Sequence, residues 1–189
     1  RKLQDALLCE KKGVIMVGLN FVPASQRRID LKTARAISQS LKYVAKVGIF
    51  QNQTAEEVNR VADEMGLEFI QLAGSESPEY CKAIRYPVIK TVRPSEKDLI
   101  PVYSKVACMF VLDSEKPGGG DRHNDEGFKK LKINRPFLVA GGVNESNVHS
   151  ILLDFPKAAG VDVATGIETR GKTDVKKIER LFQQVTCES

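Results

Sequence analysis

The chain has 189 residues, 42% of them hydrophobic and 28% charged, which suits one globular domain spanning residues 1–189. No apolar run reaches the roughly 18 residues of a membrane-spanning helix, so the sequence excludes a membrane protein and, with this composition, a disordered one. Lys and Arg outnumber Asp and Glu by 29 to 24, a mild surplus that suits a phosphorylated small molecule, whereas scattered basic residues and the lack of Trp argue against nucleic acid.

Short apolar runs alternate with amphipathic stretches along the whole chain, which is typical of repeated strand–helix units. A first helix has an apolar stripe of Leu3, Ala6, Leu7 and Leu8 and stops at Gly13. Seven runs then predict buried parallel strands at residues 14–21, 46–50, 68–72, 88–91, 107–112, 137–140 and 160–163. The remaining stretches predict helices at residues 31–41, 54–65, 77–84, 95–102, 127–131, 145–155 and 173–185, with Thr54 and Asn144 as N-caps.

One helix followed by seven strand–helix units indicates a TIM (β/α)8 barrel whose N-terminal first strand is absent from residues 1–189. Seven strands would leave two unpaired edges, so we expect a first strand before Arg1. A doubly wound open sheet uses the same unit and is the rival architecture. Its dinucleotide-binding form carries a G-x-G-x-x-G motif, which this sequence lacks.

The loop after the first predicted strand carries Arg27 and Arg28. In a βα barrel the ligand lies at the carboxyl ends of the strands, so these guanidinium groups are placed to clamp a carboxylate through paired N–H donors. The alternative is that both are solvated surface charges.

Asp113 directly follows the predicted strand at residues 107–112. At such a position partial burial can raise the pKa of a carboxyl group enough for general-acid catalysis. The glycines at residues 118–120 predict a loop that closes over a ligand. A turn or helix-capping role for Asp113 is the alternative.

Two consecutive units near the end of the chain place small residues before a helix. These are Gly141 and Gly142 in one unit and Thr165 and Gly166 in the next. Exposed backbone N–H groups at such positions form the usual phosphate-binding corner of a barrel.

The four cysteines, Cys9, Cys81, Cys108 and Cys187, include no C-x-x-C pair and have only two histidines to assist them. We therefore expect no metal site and no disulfide framework, and a reducing, cytoplasmic compartment. Cys9 and Cys108 are interpreted as packing residues and His149 as a solvent-facing one. His123 follows the triple glycine and could approach the strand ends.

The ordered motifs resemble those of the phosphoribosylanthranilate isomerase family, which consists of small βα barrels of tryptophan biosynthesis. The resemblance covers essentially the whole chain. Its carriers are Val17 to Phe21 with Pro23, Ser25 and Arg27; residues 47–52; residues 70–74; residues 112–114 with 118–120; residues 140–143 with Asn147 and Val148; and residues 160–163 with 166–168.

The resemblance implies an Amadori rearrangement without a cofactor, performed on N-(5-phosphoribosyl)anthranilate by a monomer or homodimer. It implies that Asp113 is the general acid and that Arg27 holds the anthranilate part of the substrate. Asp162 matches a further substrate-binding carboxylate. The matches to the phosphate site are Gly141, Gly142, Thr165 and Gly166.

Three positions depart from the family pattern. The general base of the family is a cysteine in a Lys-x-Cys-Gly motif at the end of the first strand, and no such motif occurs in residues 1–189. Ala73 replaces the usual His, and residues 121–126 replace a Gly followed by an aromatic-rich segment. Two alternatives stay open: a catalytically impaired barrel that binds phosphorylated ligands, and another phosphosugar isomerase or epimerase.

Overall fold

A computed structural model of the protein describes residues 2–115, 126–129 and 131–186. Parallel strands within these residues lie in sequence order in one seven-stranded sheet, and helices separate them, which is a TIM-type α/β fold. The seven strands and the preceding helix predicted from the sequence are thereby confirmed. The strands are β1 (Met16–Asn20), β2 (Ala45–Phe50), β3 (Phe69–Leu72), β4 (Val88–Val92), β5 (Met109–Leu112), β6 (Phe137–Val139) and β7 (Gly160–Val161).

The helices occupy the predicted stretches with shifted ends. They are α1 (Leu3–Lys11), α2 (Leu31–Ser40), α3 (Ala55–Met65), α4 (Pro78–Ala83), α5 (Ile100–Tyr103), α6 (Glu126–Lys129), α7 (Val148–Asp154) and α8 (Val175–Thr186). A 3₁₀ helix, Pro94–Leu99, precedes α5, and a second one spans Thr165–Ile167. No helix within the described residues is both long and apolar enough to span a bilayer.

The predicted start of α7 at residue 145 is wrong. Asn144 does not cap this helix, because its Oδ1 accepts a hydrogen bond from Ser146 N at 2.9 Å and closes a local turn instead. The Asn144 N–H donates to Asn147 Oδ1 at 2.8 Å, which extends the turn to the residue before α7. Helical backbone therefore begins only at Val148.

Residues 1–90 form the first of two compact units. Its core lies around Leu19, Phe50 and Ile70, which are at most 2% exposed, and the rings of Phe21 and Phe50 stack with centroids 5.2 Å apart. Thr54 caps α3 as predicted, since its Oγ1 accepts from Glu57 N at 3.2 Å.

Residues 91–189 form the second unit. Phe110, Leu112 and Val139 are fully buried in it, and Ile178 of α8 is 1% exposed. A short hairpin follows the second 3₁₀ helix and pairs β8 (Glu168–Thr169) with β9 (Lys172–Thr173) in antiparallel fashion. The sequence did not indicate this hairpin.

Candidate active site

Asp113 is the first residue after β5, as predicted. Its backbone N–H donates to Val92 O at 3.0 Å, so the carboxyl ends of β4 and β5 are tied together at this point. The side chain is half-buried, and its Oδ1 accepts a hydrogen bond from Ser114 N at 2.8 Å. The carboxyl group is therefore held at the end of the sheet where a βα fold binds its ligand.

Gly141 lies directly against Asp113. A methyl group placed on its α-carbon would be 2.8 Å from Asp113 Oδ1 and 2.8 Å from Ser114 N. Its φ of +79° is a left-handed conformation that favours glycine. The predicted phosphate residue Gly141 is thus also the residue that leaves room for the carboxyl group of Asp113.

The two predicted phosphate loops meet. A methyl group on Gly166 would lie only 1.9 Å from Val143 O, so the 3₁₀ helix Thr165–Ile167 packs on the backbone of the loop after β6. Gly142 adopts a φ of +70°, and its carbonyl accepts hydrogen bonds from the side chains of Asn144 and Asn147 at 3.0 and 2.9 Å. Among the residues that the structure describes, none accepts a hydrogen bond from the backbone N–H of Gly142 or Gly166.

Asp162 directly follows β7, and its N–H donates to Val139 O at 2.9 Å. It therefore lies at the same end of the sheet as Asp113 within the second unit. Its side chain is half-buried.

Arg27 lies in the first unit, on the loop between β1 and α2. The backbone N–H of Arg27 donates to Ser25 Oγ at 3.1 Å, and the backbone N–H of Ser25 donates to Val22 O at 3.1 Å. The loop closes where Ile29 N reaches Asn20 O at 2.9 Å. The Arg27 side chain is half-buried whereas Arg28 is exposed, which makes Arg27 the better candidate of the two for ligand binding.

A buried ion pair at the carboxyl ends of β3 and β4 was not identified from the sequence. Lys90 Nζ lies 3.1 Å from Glu76 Oε2, and the two side chains are 4% and 1% exposed. The ammonium group also donates to the carbonyls of Leu72 and Gly74. The one sequence signal was a lysine inside the predicted buried strand at residues 88–91.

None of the described cysteines directly follows a strand. Cys9 and Cys81 belong to α1 and α4, and Cys108 immediately precedes β5. Burial raises the pKa of all three thiols, which disfavours the reactive thiolate. His149 is exposed on α7, as predicted. Cys187, His123, the glycines at residues 118–120 and most of the segment 121–126 lie outside the described residues.

Residues 1–184 match the family model described as N-(5'phosphoribosyl)anthranilate (PRA) isomerase. The N-(5'-phosphoribosyl)anthranilate isomerase of Desulforudis audaxviator is 38% identical over 191 residues, which cover 96% of this chain and 92% of that protein. The crystal structure of phosphoribosyl anthranilate isomerase from Thermus thermophilus is similar with a TM-score of 0.88 at 33% identity, covering 100% of this chain and 96% of that one.

A second similar crystal structure is of phosphoribosyl anthranilate isomerase in complex with reduced 1-(o-carboxyphenylamino)-1-deoxyribulose 5-phosphate. Its TM-score is 0.85 at 30% identity, and the match covers 98% of this chain and 94% of that one. These findings confirm the resemblance inferred from the motifs. Because the family model spans nearly all of the sequence and whole relatives are matched almost end to end, the chain belongs to the N-(5'-phosphoribosyl)anthranilate isomerase family.

Proposed function

We propose that this protein converts N-(5-phosphoribosyl)anthranilate to 1-(2-carboxyphenylamino)-1-deoxyribulose 5-phosphate, an Amadori rearrangement of tryptophan biosynthesis. Membership of the family supports this activity. The structural observation that carries it is the position of Asp113, whose carboxyl group is held at the end of β5 against Gly141. An acid is needed there because the sugar ring must open to a Schiff base before the adjacent carbon can lose its proton.

Asp113 acts as the general acid. Its proton passes to the furanose ring oxygen, the bond from that oxygen to the anomeric carbon breaks, and the anthranilate nitrogen supplies the electron pair that forms a Schiff base. A base then removes the proton from the adjacent sugar carbon, and the resulting enolamine tautomerises to the aminoketose. The family places that base in a Lys-x-Cys-Gly motif. Residues 1–189 contain no such motif, so none of them is assigned as the base.

The phosphate binds at the paired loops of the second unit. Backbone N–H groups of Gly142 and Gly166 are suited to an anion because they donate to no acceptor among the described residues. Gly141 and Thr165 flank these groups and complete the predicted set. The half-buried Asp162 is suited to accept hydrogen bonds from sugar hydroxyls.

Arg27 binds the carboxylate of the anthranilate ring. A guanidinium group offers two parallel N–H donors to a carboxylate, which fixes orientation as well as charge. The contact is the same before and during ring opening, so it contributes to substrate capture and not to the chemical step. The protein acts as a monomer or a homodimer.

Steady-state fluorescence kinetics on the full-length protein test these roles. Asp113→Asn is expected to lower kcat by on the order of 10²–10⁴-fold, because the amide lacks a transferable proton. Arg27→Ala is expected to raise KM with a smaller change in kcat. Asp98→Asn, an exposed change on the first 3₁₀ helix, serves as the control. A near-wild-type kcat for Asp113→Asn would mean that another group, such as Asp162, protonates the sugar oxygen.

A further inference from the structure

We propose that Lys90 and Glu76 are positioning residues for substrate binding, because a continuous set of hydrogen bonds runs from this buried pair to the loop that carries Arg27. The inference rests on the proposed function, in which Arg27 holds the substrate carboxylate. The catalytic steps described above do not use either residue of the pair.

A buried ion pair is a costly way to add stability. The desolvation of two charges often exceeds their attraction, and a well-packed apolar pair of similar volume usually performs as well. Lys90 and Glu76 are nevertheless almost fully buried, near the carboxyl end of the strands, which is where a βα fold binds its ligand. What the charges supply is a set of strong, directional hydrogen bonds to backbone groups, and these bonds lead across the neighbouring loops.

The first connection joins the loop after β3 to the loop after β2. Glu76 Oε1 accepts a hydrogen bond from Asn52 N at 2.8 Å, and Glu76 Oε2 accepts one from Gly74 N at 3.0 Å. Asn52 Oδ1 accepts one from Ser75 N at 2.8 Å. Asn52 has a φ of 58°, a left-handed conformation that an asparagine tolerates and that these bonds hold in place.

The second connection joins the loop after β2 to the loop after β1. Gln53 Nε2 donates to Phe21 O at 3.3 Å, and Tyr80 Oη donates to the backbone carbonyl of Gln53 at 2.7 Å. Burial, and secondarily the charge of Glu76, raises the pKa of Tyr80 to about 12, so its hydroxyl keeps its proton at neutral pH. Phe21 begins the loop that leads to Arg27. The backbone N–H of Arg27 donates to Ser25 Oγ, and the backbone N–H of Ser25 donates to Val22 O.

All of these contacts lie within residues 21–90, inside the first compact unit. Both side-chain oxygens of Glu76 act as acceptors, Oε1 from Asn52 N and Oε2 from Gly74 N and the Lys90 ammonium group. A glutamine at this position would offer one oxygen and present an NH₂ group to donors. Glu76→Gln therefore releases the loops after β2 and β1 in turn.

Glu68→Gln is the matched control. Glu68 also receives a backbone N–H and a lysine ammonium, because its carboxylate lies 2.7 Å from Lys46 N and 3.0 Å from Lys46 Nζ. It precedes β3, at the opposite, amino end of the same sheet. The control thus removes a lysine–glutamate ion pair that is more exposed than Glu76–Lys90 and does not touch the ligand end.

The experiment is a double-mutant cycle in KM with the full-length protein. Glu76→Gln is expected to raise KM about tenfold with kcat nearly retained, whereas Glu68→Gln leaves KM unchanged. In an Arg27→Ala background the effect of Glu76→Gln on KM should disappear, since the group that it positions is gone. Equal effects in both backgrounds, or an effect on kcat alone, overturn the proposal.

Gln53→Ala breaks the second connection without disturbing a buried charge, and an unchanged KM in this variant overturns the proposal even if Glu76→Gln fails to fold. It is expected to raise KM in the wild-type background and not in Arg27→Ala. Amide hydrogen exchange adds a readout independent of catalysis, with faster exchange at residues 21–30 in Gln53→Ala than in Glu68→Gln. Unchanged exchange there overturns the proposal, whereas lack of isomerase turnover in the wild-type protein contradicts only the proposed function.

Discussion

At Gly141 a single hydrogen atom in place of a side chain determines where the carboxyl group of Asp113 lies. Gly141→Ala puts a methyl group 2.8 Å from Asp113 Oδ1, closer than real contacts allow. We expect kcat to fall by roughly 10–100-fold, because small displacements of a catalytic group have effects on that scale. The steady-state fluorescence assay described for Asp113→Asn measures this fall in kcat.

Gly13→Ala separates this contact from backbone strain. Gly13 has a φ of +83°, close to the +79° of Gly141, but a methyl group there meets nothing within 4 Å. Both variants should lose about 1–2 kcal/mol of stability from the left-handed conformation. Only Gly141→Ala should lose turnover, and an equal kcat for the two would remove Gly141 from the catalytic arrangement.

Periodicity in the sequence was enough to place Asp113 and the paired glycines at strand ends, whereas Asp162 was expected inside a strand at residues 160–163 that in fact ends at Val161. Each correctly placed residue lies directly after an apolar run, and that position depends on local sequence alone. The contact between Gly141 and Asp113 depends on how β5 and β6 are aligned, with Leu112 opposite Val139. Register between strands separated by a long loop is a non-local property, so the sequence did not reveal it.

The two phosphate loops behave as one element because Gly166 lets them touch. Gly166→Ala would place a methyl group 1.9 Å from Val143 O and push the loops apart. We expect the affinity for reduced 1-(o-carboxyphenylamino)-1-deoxyribulose 5-phosphate to fall at least about tenfold, measured by calorimetry. The dephosphorylated form of that compound should bind both proteins equally. Equal loss for both compounds would place the phosphate elsewhere.

The start of α2 predicts a dependence of stability on pH. Hydrogen bonds from Thr33 N and then Thr33 Oγ1 lower the pKa of Asp30, which caps the helix. Because the pKa is lowered on folding, ionised Asp30 stabilises the fold at any pH above the ordinary aspartate pKa of about 3.9. This contribution is lost as the pH falls through the pKa of the folded state.

Urea unfolding of Asp30→Asn tests the sign. Asparagine caps a helix nearly as well but does not ionise. The wild-type protein should be more stable than the variant at neutral pH, and the difference should shrink as the pH is lowered below about 3.9. A difference that stays constant down to pH 2 would show that ionisation of Asp30 contributes nothing.

Element positions were predictable where a capping residue and an apolar stripe coincide, as at Thr54 and α3. They were not predictable where two candidate caps compete. Asn144 and Asn147 are both acceptable N-caps, and only the turn between them, closed on the carbonyl of Gly142, decides that α7 starts after the second. The two-residue strands of the β8–β9 hairpin are too short to show alternation.

For the whole molecule, the boundary between the two compact units falls after Lys90, inside β4. A domain boundary normally falls in an exposed linker with few contacts, and a strand interior is a poor place for one. We therefore expect residues 1–189 to unfold in one cooperative transition, with an enthalpy of about 130 kcal/mol near 60 °C.

Calorimetry checks this by comparing the calorimetric and van't Hoff enthalpies, which should be equal. Two separated transitions would mean that the halves fold independently. The alternation of strands and helices predicted the fold class because each apolar run is short and each helix has one apolar face. It could not predict the division near residue 90, which no change in composition marks.

The Glu76–Lys90 pair also constrains how this sequence can diverge. Losing one partner leaves a buried unpaired charge, which costs about 3–5 kcal/mol out of a total stability of roughly 5–15 kcal/mol. Single replacements at either position are therefore removed by selection, whereas paired replacements survive only where they preserve the hydrogen bonds to the neighbouring loops. In an alignment of many related sequences, positions 76 and 90 should change together. The same alignment should show whether position 27 varies with them.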